Sequence, residues 1–451
     1  MPDLRPFRAL RYDTAAVGPL SAVISPPYDV VTPDQQAVLL ARHPRNSVRL
    51  DLPQERSGDE PGERYRRAAA DLVAWRTDGT LRKDQRPSIY VYEQRFRPLP
   101  GEPEQVQRGF FARLKLEDLE PRGGVLPHER TLSGPKEDRY RLLKATGANL
   151  SPIIGLYAGS NGSTSALLDT LTADAPAGEA VDDDGVGYRI WATAADGPGL
   201  AEPVRELLAL AGRGPITLAD GHHRYETGLR YRDERRARRA CPYDPPYEFT
   251  LALLFDTSTA DLRVLPTHRL VSGAPSGEAL LEAASALFRV ERLGSAAGLV
   301  DAFAAFGSGA GSSGGSVSDV GGRSAARIGL YTAGLAALLR PDHARIAPLL
   351  DPQTSDVLRW LPVSVLAAAL QQVTGLDPDA LVGAGRLAYT KDAAEAVAAV
   401  DAGQADSAFL LDPIPAATVR LVAEGGELMP QKSTYFWPKP ATGLLFSPGE
   451  W

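Results

Sequence analysis

The segment PITLADGHHRYET, residues Pro215–Thr227, decides the fold class because an apolar run enters a polar turn and then a helical pattern. We predict a strand that ends at Ala219 and a helix over about Arg224 to Ala240. Gly221 lets the backbone between them take a positive φ. The junction therefore indicates a domain that contains both strands and helices.

The chemistry of this turn exceeds what helix capping needs. The first backbone N–H groups of a helix lack intrahelical partners and carry partial positive charge, which suits a phosphate. Gly221 permits close approach, and His223 and Arg224 can donate to phosphate oxygens. Asp220 and His222 are candidate catalytic groups. The structural alternative makes Asp220 an N-cap, one histidine a core residue and Arg224 a solvated charge.

A zinc site at this turn is disfavoured, because adjacent histidines point apart and no HExxH motif accompanies them. The only cysteine, Cys241, also excludes a disulfide framework within one chain. We therefore predict no resident protein-bound metal site.

Outward from the junction, the apolar periodicity predicts alternating helices and strands. The expected elements are a helix at about Gly62–Arg76, strands that begin at Ser88 and Arg108 and pair as a hairpin, a helix at about Glu137–Thr146 ended by Gly147, a strand at Pro152–Tyr157, and strands in YRIWAT, FTLALLF and RVLPTHRLV.

The length of 451 residues suggests two or three units at roughly 150 residues each. We predict an N-terminal α/β region over 1–274 and a C-terminal α/β region over 275–451, with a Gly/Ser-rich loop at 307–318. A hydrophobic content of 43% and a charged content of 23% are typical of soluble globular proteins. The net charge of −7 argues against nucleic-acid binding. With no signal-like or membrane-spanning run, we expect a cytoplasmic protein.

Four further segments are candidate site contributors, each with an ordinary structural alternative. LPHERT offers Glu129 and possible substrate contacts at His128 and Thr131, although such a pair is common in surface loops. PKEDR and PQKSTYF offer phosphate donors, and PTHRLV offers a substrate contact. A P-loop is rejected for PQKSTYF because its glycines are absent. The phosphate donors are Lys136, Arg139, Lys432, Ser433 and Thr434, and the substrate contact in PTHRLV is His268.

Over nearly its whole length the chain resembles the DUF1015 family of unknown function. The strings that carry this resemblance are PPYDVV, NSVRLDLP, YVYEQRF, PHERTLSGPKEDRYRLLKATGANLSPIIGLY, ADGHHRYETGLRYRDE, LPTHRLV and MPQKSTYFWPK. The resemblance carries little biochemistry.

A narrower resemblance, over about 109–270, is to the ParB/sulfiredoxin-like fold, and within it to the free serine kinases. LPHERT and DGHHRYET stand at the two motif positions, with a large insertion between them. Sulfiredoxins carry a cysteine where this chain has His222, which excludes their chemistry. The resemblance implies an α+β fold with a ParB/sulfiredoxin-like mixed core, an N-terminal extension and a C-terminal region. It also implies acid/base roles for Glu129 and Asp220 and phosphate contacts at His222, His223 and Arg224.

These features favour nucleotide-dependent phosphoryl transfer that involves a free small amino acid, serine or phosphoserine, with ATP or ADP and Mg²⁺. The alternatives are a phosphoserine-type phosphatase, a non-catalytic ParB-like nucleotide-binding switch, and a structural protein. The sequence leaves the oligomeric state open, and a homo-oligomer is one of the alternatives.

Overall fold

The computed structural model describes residues 1–98, 103–129, 135–160, 162–197, 199–238, 241, 243–259, 262–309 and 327–449. They form two compact units. Unit 1 comprises described residues within 1–127, 131–262 and 438–451, and unit 2 those within 128–130 and 263–437. Thr131 and most of the predicted loop at 307–318 lie outside the described residues.

Unit 1 is a mixed α/β unit. Its helices are α1 (Thr14–Val17), α2 (Pro33–Arg42), α3 (Val48–Asp51), α4 (Glu63–Thr77), α5 (Pro135–Thr146), α6 (Ser163–Leu171), α7 (Ala201–Ala211) and α8 (His222–Arg238). Its strands are β1 (Leu4–Arg5), β2 (Leu10–Tyr12), β3 (Leu81–Lys83), β4 (Ser88–Phe96), β5 (Gln105–Lys115), β6 (Val125–Pro127), β7 (Ala148–Asn149), β8 (Ile153–Tyr157), β9 (Gly178–Val181), β10 (Gly187–Ala194), β11 (Ile216–Asp220), β12 (Phe249–Asp256) and β21 (Ser447–Pro448).

The main sheet of unit 1 has the strand order β6-β11-β8-β12-β5-β4-β10-β9, and β1 pairs with β5. Every residue of β12 and β8 is buried, as expected for strands covered on both faces. β4 and β5 pair antiparallel with Tyr90 opposite Phe111, so the predicted hairpin is confirmed.

β11 lies near one edge of this sheet. It pairs parallel with β6 and antiparallel with β8, and its register shifts between Leu218 and Asp220. This shift falls at the last residue of β11, so the hydrogen-bonded pairing of β11 with β8 is irregular at Asp220. This places the polar turn beyond a buried, well-anchored strand.

Unit 2 is also mixed α/β. Its helices are α9 (Gly277–Ser285), α10 (Ala296–Gly309), α11 (His343–Ile346), α12 (Asp356–Arg359), α13 (Pro362–Thr374), α14 (Pro378–Gly383), α15 (Ala393–Asp401) and α16 (Ala416–Glu424). Its strands are β13 (Arg263–Leu265), β14 (His268–Val271), β15 (Phe288–Leu293), β16 (Ile328–Thr332), β17 (Leu335–Pro341), β18 (Leu387–Thr390), β19 (Ser407–Leu411) and β20 (Tyr435–Trp437).

The sheet of unit 2 has the order β15-β17-β16-β19-β14-β18, and β13 pairs separately with β20. RVLPTHRLV was predicted as one strand, which is wrong: it forms β13 and β14 with a break at Pro266. Proline lacks the N–H that a continuing ladder needs. β14 pairs with β18 and β19, in keeping with its place in unit 2. The predicted boundary after residue 274 stays a prediction.

The predicted mixed α/β class is confirmed by this content of helices and strands. The predicted helix at about Glu137–Thr146 is α5, and it ends at Gly147, which has φ +60° and donates its N–H to Leu143. Among the described residues, no helix has both the length and the apolar character that crossing a bilayer requires. The ParB/sulfiredoxin-like core over about 109–270 stays a prediction.

Candidate functional site

The β11–α8 junction has the strand-to-helix geometry expected from the sequence. β11 ends at Asp220, and α8 begins at His222 rather than at the predicted Arg224. Gly221 has φ +81°, and its carbonyl accepts the first helical hydrogen bond, from the N–H of Tyr225 at 2.9 Å. The early start of α8 puts both histidines in its first turn.

Asp220 forms ion pairs with two cations. Arg224 Nη2 lies 2.6 Å from one carboxylate oxygen, and Lys439 Nζ lies 2.6 Å from the other. The exposed fractions of the three side chains are 19% for Asp220 and 11% for each cation. The carboxylate is therefore paired on both oxygens in a largely desolvated place.

The two cations control the protonation of Asp220. Burial on its own raises the pKa of a carboxyl group, but Lys439 and then Arg224 outweigh it, and the pKa of Asp220 lies well below its ordinary value. A carboxylate this acidic is a weak base at neutral pH. The geometry favours a positioning role for Asp220 over the predicted acid/base role.

Arg224 is fixed by several contacts. Its Nη1 donates to the carbonyl of Pro152, and its guanidinium lies 5.9 Å from the ring centre of Tyr28. A Cβ on Gly221 would come within 2.9 Å of Arg224 Nε. Gly221 is thus required both for its positive φ and for the close approach of this guanidinium.

Arg139 and Asp51 extend the polar network of unit 1. The guanidinium of Arg139 stacks 3.9 Å from the centre of the Tyr28 ring, and its Nη1 donates to the Asp51 carbonyl at 2.6 Å. Arg139 also contacts Asp138 through Nε at 2.8 Å. We name the Asp220 cluster for its members, which are Tyr28, Asp51, Arg139, Asp220, Arg224 and Lys439.

A cavity of about 50 Å³ adjoins the Asp220 cluster, with Asp51, Arg139 and Arg224 on its wall. Its size fits a few water molecules. It is too small for a nucleotide, so a ligand of that size would have to approach the exposed side of the junction.

The remaining predicted residues of unit 1 differ in exposure. His222 is buried and contributes to the low pKa of Asp220, whereas His223 and Gly221 are half-buried. The ammonium group of Lys136 forms an ion pair with the carboxylate of Glu226 at 2.5 Å.

In unit 2, the structure brings together the predicted residues of LPHERT and PQKSTYF. His128 Nε2 lies 3.1 Å from Thr434 Oγ1, and Glu129 Oε2 accepts the main-chain N–H of Lys432 at 3.2 Å. The N–H of Met429 also donates to the His128 carbonyl. Glu129 is thus assigned to unit 2, whereas Asp220 is assigned to unit 1.

Two candidates of unit 2 have structural partners. Ser433 Oγ donates to the Pro430 carbonyl at 2.5 Å within its own turn. His268 is buried, and its Nδ1 accepts the N–H of Leu411 at 3.1 Å. Burial lowers the pKa of His268 to about 4, so this ring is neutral at physiological pH. These contacts favour packing roles for both residues.

A match to a known family covers most of the chain. The family model described as "protein of unknown function (DUF1015)" matches residues 4–364. The chain belongs to the DUF1015 family. No curated protein matches it significantly.

Several solved structures are distantly similar to this DUF1015 protein. A free serine kinase in complex with AMP has 11% identity and a TM-score of 0.34, with 71% of this chain and 89% of that chain covered. A mutant free serine kinase in complex with ADP has 10% identity and a TM-score of 0.34, covering 74% and 88%. A conserved hypothetical protein from Pyrococcus furiosus has 12% identity and a TM-score of 0.32, covering 71% and 90%. Scores of this size establish no function for the DUF1015 protein.

Sequence reasoning missed three members of the Asp220 cluster, namely Tyr28, Asp51 and Lys439. Each lies far along the chain from Asp220, and Lys439 is held between two prolines in WPKP. The sequence signal that could have found them is their position, because each residue falls in one of the polar or proline-rich strings that carry the family resemblance. Across the described residues, no group of three or more His, Cys, Asp or Glu side chains is arranged to hold a metal ion.

Proposed function

We propose that the β11–α8 junction of this DUF1015 protein binds a phosphate group of ATP or ADP. We further propose phosphoryl transfer between that nucleotide and a free small hydroxy amino acid, serine, in either direction. The observation that carries the proposal is the convergence of Arg224 and Lys439 on the single carboxylate of Asp220, beside the first turn of α8.

The ion-paired side chains at the junction carry a net positive charge. One carboxylate between two cations leaves one positive charge in excess among these three side chains. The first turn of α8 adds partial positive charge from its N–H groups. A largely desolvated, positive helix start is the environment in which phosphate is stabilised.

The nucleotide and the serine come from the sequence resemblance to free serine kinases. In this proposal His223 and Arg224 donate to phosphate oxygens, and Asp220 holds Arg224 and Lys439 in place. Glu129 keeps its predicted role as the base that accepts the hydroxyl proton. Lys136, Arg139, Lys432 and Thr434 stay predictions as phosphate donors.

The reaction in the forward direction is a simple displacement. The serine hydroxyl oxygen bonds to the terminal phosphorus, the bond from that phosphorus to the nucleotide breaks, and the hydroxyl proton passes to the carboxylate. Mg²⁺ bound with the nucleotide would neutralise phosphate charge. Since both oxygens of Asp220 are paired, phosphate oxygens and water would supply most of the ligands of the Mg²⁺ ion.

Product analysis tests the proposal. Purified protein is incubated with serine and ATP or ADP, and separately with phosphoserine with and without nucleotide. Phosphoserine that forms only with nucleotide supports the kinase. Phosphate release from phosphoserine without nucleotide would instead identify a phosphatase, and nucleotide binding without turnover would identify a switch.

Three variants assign the roles. Arg224→Ala should weaken nucleotide binding, since it removes a charged donor, by about tenfold or more. Glu129→Gln should abolish turnover and spare nucleotide affinity. Arg230→Gln is the matched control, because Arg230 lies on the same helix but is exposed and paired with Glu137. If Glu129→Gln retains wild-type turnover, the acid/base assignment is wrong.

A further inference from the structure

Residues of two polar motifs, PTHRLV and MPQKST, line one cavity inside unit 2. The cavity has a volume of about 400 Å³. Arg269 of PTHRLV lies on its wall, as do Tyr389, Met429, Pro430 and Gln431. This volume is within the range of small-molecule sites.

The cavity wall is mainly hydrocarbon. Helix α13 contributes several lining residues, and neighbouring segments add aliphatic side chains. Representative apolar residues are Leu350, Leu358, Val363, Leu366, Leu370 and Leu387. Such a lining stabilises an apolar ligand body by removing it from water.

Arg269 is the buried charged residue of this lining, whereas the other charged lining residues, Asp351, Arg359, Asp377 and Asp379, are exposed or half-buried. The Arg269 side chain is only 5% exposed, and its guanidinium lies 5.5 Å from the centre of the Tyr389 ring. Its Nη1 donates to the Thr267 carbonyl, and its Nη2 donates to the Lys432 carbonyl at 3.1 Å. Among the described residues, no carboxylate lies within ion-pair distance of this guanidinium.

A buried guanidinium without a carboxylate is costly unless an anion joins it. Burial lowers the pKa of Arg269 to about 10, so the group still carries its charge at neutral pH. The carboxylate of Glu129 acts on it only at longer range, and it accepts the Lys432 N–H instead. Two of the five N–H donors of the guanidinium are used by the Thr267 and Lys432 carbonyls, which leaves three for a ligand.

The backbone at Lys432 supports this arrangement. Lys432 is not glycine, yet it has φ +55°, a backbone conformation that is strained for a residue with a Cβ. In this conformation its carbonyl accepts from Arg269 while its N–H donates to Glu129. The strained residue thus fixes the orientation of the guanidinium on the cavity wall.

Carboxylates elsewhere on the wall limit the charge of the ligand. Asp351 and Asp377 lie on the wall as turn and helix caps, accepting N–H groups from Gln353 at 2.9 Å and from Ala380 at 2.8 Å. Asp379 lies there as well. They would repel a polyphosphate, whereas one anionic group can reach Arg269.

We propose that the unit 2 cavity binds a small monocarboxylate with an apolar body, whose carboxylate pairs with Arg269. The hydrocarbon part then lies against α13 and the adjacent leucines. This ligand site is separate from the phosphate site proposed at the junction, since all of its lining residues belong to unit 2.

Isothermal titration calorimetry of the full-length protein with octanoate tests the proposal. Octanoate supplies one carboxylate and an aliphatic chain, and octanol supplies the same chain without charge. We expect saturable binding of octanoate and binding of octanol weaker by about tenfold or more. Equal affinity for both, or binding of inorganic phosphate but not octanoate, would overturn the proposal.

Two variants locate the site. Arg269→Met should weaken octanoate binding by about tenfold or more, whereas Arg292→Met, an exposed arginine of β15, should not change it. Should Arg269→Met fail to fold, Ala367→Phe gives the second test, because Ala367 lies on α13 at the cavity wall and the added ring fills the space. Undiminished octanoate binding in a folded Ala367→Phe protein would place the ligand elsewhere.

Discussion

Lys439→Met should destabilise unit 1 by removing one of the two cations on Asp220. The 2.6 Å separation of Lys439 Nζ and Asp220 Oδ1 corresponds to a Coulomb energy of about 6 kcal/mol at an effective dielectric constant near 20. Part of this energy is offset, because methionine has no ammonium to desolvate and because Arg224 still neutralises the carboxylate. Breaking one partner of a buried pair costs about 3–5 kcal/mol, and we expect the low end, about 3 kcal/mol.

The same variant should change the acid sensitivity of the protein. The folded pKa of Asp220 is depressed, so its stabilisation is complete above the ordinary carboxyl value of 3.8 and is lost as the pH falls further toward the folded pKa. Without Lys439 the folded pKa moves back up. The wild type should therefore lose more stability than Lys439→Met as the pH falls below about 4.

Urea unfolding at pH 7 and pH 3.5, followed by tryptophan fluorescence, measures both effects. Trp75 and Trp191 are buried in unit 1 and report on it. Arg205→Met is the control, since Arg205 and its partner Glu202 are exposed, and the free energy of unfolding should not change. A Lys439→Met protein with the wild-type urea midpoint at pH 7 would refute the reasoning.

Two further predictions concern single residues. Gly221→Ala should lower the melting temperature and weaken phosphate binding, because the φ of +81° and the nearby Arg224 guanidinium exclude a Cβ. Gly214→Ala is the control and should not weaken phosphate binding, because nothing lies within 4 Å of the added Cβ. Equal effects of the two substitutions would contradict this prediction. In the folded protein the pKa of His268 is lowered to about 4, below its ordinary value of 6.5. The free energy of unfolding is therefore unaffected by this histidine above pH 6.5 and falls by up to about 3 kcal/mol as the pH drops toward 4. His268→Gln should flatten this loss in urea midpoints between pH 7 and 4.5, and an unchanged slope would count against it.

Much of the local structure followed from the sequence. The hairpin of β4 and β5, the helix α5 with its Gly147 end and the strand-to-helix turn at Gly221 were all predicted, because each depends on side-chain periodicity and glycine conformation within a few residues. The prediction of RVLPTHRLV as one strand was wrong because Pro266 lacks the N–H that a continuous strand needs, although the apolar pattern continues past it.

The partners of the site residues could not be predicted in the same way. Nothing near Asp220 indicates that Lys439 pairs with it, and nothing near Glu129 indicates that the Lys432 backbone donates to it. Such pairs depend on how the chain returns after hundreds of residues. No periodicity records that return.

By itself, the sequence determined the mixed α/β class, the family and the place of the polar junction, since these are properties of local pattern and motif. Only the tertiary structure decided the protonation of Asp220, the neutral state of His268 and the charge on the wall of the unit 2 cavity. The physical reason is that desolvation and Coulomb interactions depend on which distant groups surround a side chain, and those distances exist only in the folded chain.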